Sequence, residues 1–538
     1  MRIIGTAAIL LGSLACAGER MGIAFPTARW FFETSREVPW LHINPGSFRI
    51  FPWFDWGRVV VREDFPWFGW LSVALLIFCG LALVIRSFIG PPRNPLTEHR
   101  LRRFREIKRG YYSLLILLVL GGLAALDQVV IGKRALALQY HGHWMFPAFL
   151  PGDLKNKDFG ITGEAAEAPV NYRYLRKSFR ESGNGRVIMP LIPYDPTGDT
   201  LPPRSRSLVR NDGTYYEPGS NKPFWGLAGR YFDVDEAKIH IRFTLRNGRL
   251  SGTATGWDVD GMSVYTAEYL DGNLLTEHFT GTGTKEAFLA APTGDLRAVK
   301  YHPSPPNAES GNWLGTTSQG YDVLAYLYGG LQVNFKAALI YLPIVYLIGV
   351  SLGMMMGYFG SWFDLAVQRV IEIFSNMPFL FVVIIFSSMV PDQFKGLPVI
   401  LTILVAFGWM GMTFLMRTAA YRDKERDYIA AVRVLGAGTP RILFRHLLPN
   451  TIAIIVTLVP FTVSGLVFSL TSLDYLGFGL PPEYATWGRL LNDGLSNLSA
   501  PWLVTSTFVM LVGMLVLITF VGEAVREAFD PKKFTYYR

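Results

Sequence analysis

Few residues in this chain stand where their types and spacing could do chemistry. His141 and His143 are the closest pair among the eight histidines. On a strand, that spacing puts both imidazoles on one face, as two metal ligands require, but no third ligand accompanies them and a structural pair is the better reading. Arg369 and Glu372 stand at i, i+3 inside an apolar segment. A helix-end ion pair accounts for them better than a proton- or sodium-coupling carboxylate. Cys16 and Cys79 both lie in apolar stretches, so no disulfide framework and no Cys-based metal site is expected. The patterns GxxxxGK[ST], HExxH, GxSxG and CxxC are all missing from the sequence, so the chain is expected to carry no catalytic group, no metal and no cofactor of its own.

What does stand together is mechanical. Arg426 to Asn450 reads RDYIAAVRVLGAGTPRILFRHLLPN. A helix-forming run from Tyr428 to Leu435 meets Gly436-Ala437-Gly438, restarts with Thr439 as cap and Pro440 at the first helical position, and is expected to stop near Pro449. Tyr428, Leu435, Phe444 and Leu448 can bury, while Arg433, Arg441 and Arg445 stay solvated. A plain connector needs neither this length nor two capped helices.

The elements around this helix-turn-helix are set by composition. Of 538 residues half are apolar and only 17% charged, against about 25% charged in soluble domains. The apolar residues are blocked into stretches near the length that crosses a bilayer. That excludes a purely soluble enzyme and a disordered or fibrous chain. Charge-poor helical segments are expected at about 3–18, 67–89, 110–131, 335–358, 367–390, 398–416, 451–473 and 502–522. The first is short and ends in Ala15-Cys16-Ala17, a signal-peptidase-like site, and a retained helix is preferred. From Arg86 to Arg109, eight Lys or Arg face only Glu98 and Glu106, which places that loop in the cytoplasm. Alternation then puts 19–66 and 132–334 outside and 417–450 inside, where Arg417, Arg422, Lys424, Arg426, Arg433, Arg441 and Arg445 agree. The net charge of +9 therefore reports membrane topology, and no nucleic-acid partner is expected.

The two outer segments differ in material. Residues 19–66 are rich in aromatics such as Trp30, Phe31, Phe32, Trp40 and Trp53, fitting a membrane-interface belt in contact with lipid. In 132–334, short alternating runs are punctuated by Asn247-Gly248, Asp260-Gly261 and Asp271-Gly272, which predicts a small antiparallel β insert at about 205–297. The organisation expected is thus an N-terminal extension over 1–97, a basic segment and helix over 98–131, an outer segment over 132–334 and a transmembrane core over 335–538.

The 417–450 loop resembles the EAA loop of permease subunits in binding-protein-dependent ABC importers, whose pattern is E-A-A, three residues, G, nine residues, I-x-L-P. Ala430-Ala431-Val432 occupy the first positions, with Ala430 replacing the glutamate; Gly436, His446 and Leu448-Pro449 follow in register. NWLGTTSQGYDVLAYLYGG, from Asn312 to Gly330, is similar to the signature of dipeptide and oligopeptide permeases, with Tyr321 where arginine is usual. SLDYLGFGLPPEYATWGRLLNDG, from Ser472 to Gly494, and FVGEAVREAFDPK near the C-terminus resemble later stretches of that family. The basic EHRLRRFREIKRGYYSLLILLVL run and YHGHWMFPAF are closest to the branch associated with microcin C and oligopeptide uptake. The likeness covers about 98–204 and 298–538 and leaves the first ninety residues and the β insert outside it.

The resemblance implies an all-α polytopic inner-membrane protein of about eight transmembrane helices, six of them the ABC type I importer permease core, with a small antiparallel β insertion in a periplasmic loop. It implies a non-catalytic permease subunit for peptides or peptide-like solutes. The implied partners are a second permease subunit, a cytoplasmic ABC ATPase that holds ATP and magnesium, and a periplasmic substrate-binding protein. Carried onto this loop, the ATPase-coupling positions are Asp427, Tyr428, Ala430, Ala431, Gly436, Arg441, Phe444, Arg445, His446 and Pro449. The alternative is a membrane-anchored sensor or binding protein working through its periplasmic β domain, but a mere anchor needs no capped helix-turn-helix on the opposite face.

Overall fold

The computed structural model describes residues 2–23, 31–32, 46–51, 54–61, 66–89, 95–149, 154–160, 169–183, 185–199, 205–216, 222–232, 239–258, 261–290, 295–299, 303–306, 311–391 and 395–529. The chain forms two compact units, one of residues 1–199, 324–496 and 504–538, the other of 200–323 with 497–503.

The first unit is mainly helical. Helices α1 (Arg2–Met21) and α2 (Trp67–Ile89) lie against each other, with Gly5 and Gly80 at the crossing. A methyl group on either would come within 3 Å of the other's carbonyl, so the absent side chains set the spacing. Phe32 is buried in this contact, with its ring 5.2 Å from that of Trp70. Its ring packs between the two helices, with Ala15 and Val73. Trp30, Trp40 and Trp53 fall outside the described residues.

Then follow α3 (Pro95–Glu106), α4 (Lys108–Ala125), α5 (Val323–Phe359), α6 (Ser361–Ser375), α7 (Phe379–Met389) and α8 (Leu397–Lys424). After the loop come α9 (Asp427–Val434), α10 (Leu448–Tyr475) and α11 (Pro501–Phe529). Among the described residues, five helical segments are long and apolar enough to cross a membrane, and α6 with α7 makes a sixth if that bent pair is one span. The single helix expected over 367–390 is therefore two, turned by 80° at Asn376-Met377-Pro378. Proline has no amide hydrogen to continue the ladder and pushes the preceding residue out of helical geometry. By contrast, Pro343 lies inside α5 without ending it.

A three-stranded sheet in this unit pairs Ala137–Tyr140 with His143–Met145 and Gly185–Ile188. His141 occupies the turn with a left-handed φ of 47°, and His143 opens the next strand. The two histidines thus share no strand face.

The second unit carries the antiparallel sheet. Its strands are β1 (Ser205–Ser207), β2 (Gly226–Tyr231), β3 (Ile239–Arg246), β4 (Gly252–Trp257), β5 (Ser263–Leu270), β6 (Asn273–Phe279) and β7 (Arg297–Val299), in the order β6-β5-β4-β3-β2-β7-β1, with Arg249–Leu250 pairing to β3. Asn247-Gly248 and Asp271-Gly272 turn the chain with positive φ at both residues, the geometry that tight hairpins demand. Asp212-Gly213 does the same in an additional hairpin, Val209–Asn211 with Thr214–Tyr216. Alternate residues bury: Leu245, Ala228 and Ala298 on one part of the sheet, Ala254, Tyr265 and Ala267 on another.

Candidate functional site: the loop between α8 and α10

Helix α9 closes with a cap built from backbone alone. Gly436 takes φ +78°, its N–H donates to the Arg433 carbonyl at 3.0 Å, and the Ala437 N–H reaches the Val432 carbonyl at 3.2 Å. This pair of bonds is the Schellman stop, which needs a residue tolerant of left-handed backbone. Nothing lies within 4 Å of a side chain added at Gly436, so conformation and not space demands glycine there.

The restart differs in two ways from the sequence reading. Gly438, extended at φ −69° and ψ 157°, holds the cap position, and its carbonyl receives the Ile442 N–H at 3.1 Å; Thr439 is already helical and makes no capping bond. Nor does the second helix end at Pro449. It runs from Thr439 through a π turn at Ile442–Leu447 straight into α10, with Pro449 in the first turn of that helix. A π turn shifts the ladder by one residue, and Pro449 sits where the ladder returns to α spacing, so its missing N–H breaks nothing.

The predicted residues separate by exposure. Asp427, Ala430, Ala431, Gly436, Arg441, Phe444, Arg445 and Pro449 are exposed, while Tyr428 and His446 are half-buried. Tyr428 is tied to the start of α10, since Asn450 Nδ2 donates to its hydroxyl at 2.9 Å and to the His446 carbonyl at 3.0 Å. Leu435 and Phe444, expected to bury, do not: Val434 is 88% exposed, Leu435 84% and Phe444 56%. The burial is carried by Ile429, Ile442, Leu443 and Leu447. The result is a rigid hairpin with an apolar tip in solvent and Asp427 in its first turn, where a negative charge suits the helix N-terminus.

Two features that sequence reasoning missed hold α8, the helix that leads into this hairpin, against its neighbours. Gly349, Gly353 and Gly357 recur every fourth residue along α5 and lie on the backbone of α8. A methyl on Gly353 would stand 2.5 Å from the Thr413 carbonyl, and one on Gly357 would stand 2.6 Å from that of Arg417. This small-xxx-small spacing lets two membrane helices touch along their main chains. It was legible as G-x-x-x-G in an apolar run. The second feature is a clamp. Arg417 Nε and Nη2 donate to the two oxygens of buried Asp364 at 2.5 and 2.6 Å, and the Tyr421 hydroxyl donates to Oδ2 at 2.7 Å. One turn on, buried Asp423 takes Arg422 Nε and Arg426 Nε, each at 3.1 Å. Arg369 and Glu372 form the expected local pair, with Nη1 to Oε2 at 2.5 Å.

Other segments of the first unit are locked by their own polar residues. Asp474 Oδ1 accepts the Leu480 N–H at 2.7 Å, and Arg489 Nη1 donates to the Pro481 and Tyr484 carbonyls at 3.2 and 3.0 Å. The indole of buried Trp487 donates to the Leu327 carbonyl at 2.9 Å.

Residues 349–535 match the family described as "Binding-protein-dependent transport system inner membrane component". The chain is 31% identical over 442 residues to the "Peptidoglycan transport system permease protein YejE" of Agrobacterium fabrum, covering 82% of this chain and 94% of that relative. It is 31% identical over 440 residues to the "Inner membrane ABC transporter permease protein YejE" of Escherichia coli, covering 82% and 98%. With the "Dipeptide transport system permease protein DppC" of Bacillus subtilis it shares 33% identity over 231 residues, 42% of this chain and 70% of the relative. Apolar helices joined by a capped basic hairpin, together with this likeness over most of the chain, establish that it belongs to the binding-protein-dependent transport system inner membrane components, as a multi-pass permease subunit of an ABC transporter.

Proposed function

We propose that this permease forms half of a path for peptides or peptide-like solutes, paired with a second permease subunit, supplied by a periplasmic binding protein and driven by a cytoplasmic ATPase that alone holds ATP and magnesium. The relatives named for dipeptide and peptidoglycan transport support the cargo class. The observation that carries the ATPase contact is the solvent exposure of three apolar side chains, Val434 and Leu435 at the turn and Phe444 on the following helix, in a hairpin whose buried residues pack against membrane helices. Large apolar side chains left exposed in a loop that also carries Arg433, Arg441 and Arg445 are costly in water and are expected where a partner covers them. On this reading Asp427, Ala430, Ala431, Gly436, Phe444 and His446 belong to the docking face. Tyr428, tied to Asn450, carries a push from α9 into α10.

The test is co-purification of an ATPase subunit with this chain from detergent-solubilised membranes. Leu435→Glu removes the apolar contact without touching the fold, and Gly436→Pro forbids the left-handed cap. Both are expected to reduce recovered ATPase at least tenfold while the permease itself elutes unchanged. Failure of the unaltered chain to bring down any ATPase would remove this reading and leave the periplasmic β unit as the working part.

A further inference from the structure

A cavity of about 500 Å³ opens in the first unit at the helix ends remote from the basic hairpin. Sequence order fixes this placement. Lys395, Gly396 and Leu397 lead into α8, Pro481 to Ala485 follow α10, and the hairpin joins the other ends of those two helices. With the basic hairpin inside, the cavity faces outward. Its volume falls within the range of about 300–1,000 Å³ usual for small-ligand sites.

Its lining is unusual for the mouth of an apolar bundle. Two carboxylates, Asp127 and Glu483, and two ammonium groups, Lys336 and Lys395, share the walls with Val333, Leu397, Tyr484 and Pro481. Asp127 is only 8% exposed and is held in place, since Gln332 Nε2 donates to its Oδ1 at 2.9 Å and to the Ala124 carbonyl at 3.2 Å. The Thr197 hydroxyl, also in the lining, donates to the Glu483 carbonyl at 3.0 Å. A site for an apolar solute gains nothing from four ionic groups in a partly enclosed space, where desolvating each is costly. A site selecting net charge would carry one sign. Two charges of each sign among apolar walls suit a solute that brings one ammonium, one anion and no net charge.

We propose that this cavity binds the zwitterionic ends of a short peptide, its carboxylate toward Lys336 and Lys395 and its ammonium toward Asp127 and Glu483, as a receiving site for solute released on the outer face. The proposal rests on the peptide-import reading given above. The recognised chemistry, an ammonium with an anion, is shared by a phosphatidylethanolamine headgroup, so the test must separate the two sources. Lysine offers a compact point charge that accommodates a carboxylate in several orientations, and a carboxylate pair can take all three ammonium hydrogens. Neither contact reads the side chains between the termini. The site therefore discriminates by termini and length and tolerates varied sequence.

The experiment is equilibrium binding of labelled trialanine to the full chain in phosphatidylcholine nanodiscs, against trialanine acetylated at its amine and amidated at its carboxyl. Uncapped peptide is expected to bind at least tenfold more tightly than the capped form, and Lys395→Gln and Glu483→Gln are each expected to weaken it about tenfold. Equal binding of the capped peptide to the unaltered protein, which needs no variant to fold, overturns the proposal, as does unchanged affinity in both variants. Competition by glycerophosphoethanolamine with no binding of trialanine assigns the cavity to lipid and overturns the peptide assignment. ATPase co-purification, measured on the same samples, is expected to stay at the unaltered level in both variants because they lie at the far ends of the helices. Its loss in the unaltered chain would count against the import reading alone, so the two failures are told apart.

Discussion

Arg417, the first basic residue after the apolar run of α8, places its guanidinium against both oxygens of Asp364 near the start of α6, and the carboxylate is almost wholly withdrawn from solvent. The pair ties the end of one membrane helix to the beginning of another 53 residues earlier in the chain. Tyr421, a turn further along α8, closes the same carboxylate from a third direction. Beyond it the chain enters the hairpin within a few residues, so the clamp fixes the base from which α9 projects.

Removing the arginine should therefore cost more than removing the pair. Arg417→Met leaves Asp364 buried beside the Tyr421 hydroxyl with no guanidinium on its oxygens and only the charge of Lys424 nearby, with an expected loss of about 2–4 kcal/mol. The double variant Arg417→Met with Asp364→Leu withdraws both charges and is expected to recover most of that loss. Thermal unfolding of the three proteins in detergent measures the difference. Equal destabilisation of the single and double variants would show that the ion pair is not what the arginine supplies.

The glycine stripe makes a second, sharper contrast. Gly353→Ala pushes a methyl into the Thr413 carbonyl of α8, and the two helices must part, at an expected cost of about 1–3 kcal/mol. Gly411→Ala, on α8 itself, meets nothing within 4 Å and is expected to be neutral or to stabilise by up to about 1 kcal/mol through helix propensity. Apparent unfolding midpoints of the two variants should move in opposite directions or differ clearly. A tolerated alanine at Gly353 would mean that α5 and α8 are not in main-chain contact.

What could be read from the sequence follows from how local each cause is. Asn247-Gly248 and Asp271-Gly272 announce their hairpins because positive φ at both turn residues is a demand made within two residues. The apolar segments announce their helices because span length is a property of one stretch. The Asp364 to Arg417 clamp was not legible, since nothing near either residue names a partner 53 positions away. Pro378 and Pro449 look alike in sequence but act differently. The first ends a helix, and the second follows a π turn that has already displaced the ladder. Leu435 and Phe444 misled because apolar character predicts burial within the chain, and here those residues face solvent. The ATPase docking proposed for them rests on family resemblance and on that exposure.

The π turn yields a prediction that the simple sequence reading reverses. If Pro449 were the element that stops the second helix, replacing it would let a new helix form and reorganise the loop. Since the chain is already helical through that residue, Pro449→Ala is expected to change stability by less than about 1 kcal/mol and to leave ATPase recovery unaltered. Thermal unfolding and co-purification check both halves. A large loss in either would mean that the proline's fixed φ, and not the π turn, holds the register of α10.

The β unit carries its own titration. His240 on β3 is 1% exposed, wedged between Phe232 and Phe288 with ring centroids 4.7 and 4.4 Å away. Burial first, and the nearby Arg230 guanidinium second, hold its imidazole below the ordinary value of 6.5, against a smaller opposing pull from the Phe288 backbone. A histidine whose folded pKa is depressed binds its proton more readily in the unfolded chain, so it destabilises the fold as pH falls. The stability of this unit should be level above about pH 7 and decline as pH drops through 6.5 toward the folded value. Hydrogen exchange of the β2, β3 and β4 amides at pH 7.5 and 5.5, corrected for the intrinsic rate, should show faster opening at the lower pH. In His240→Leu the difference is expected to shrink, because no buried group remains to take up the proton. The same pH response with and without the imidazole would place its origin in other groups of the unit.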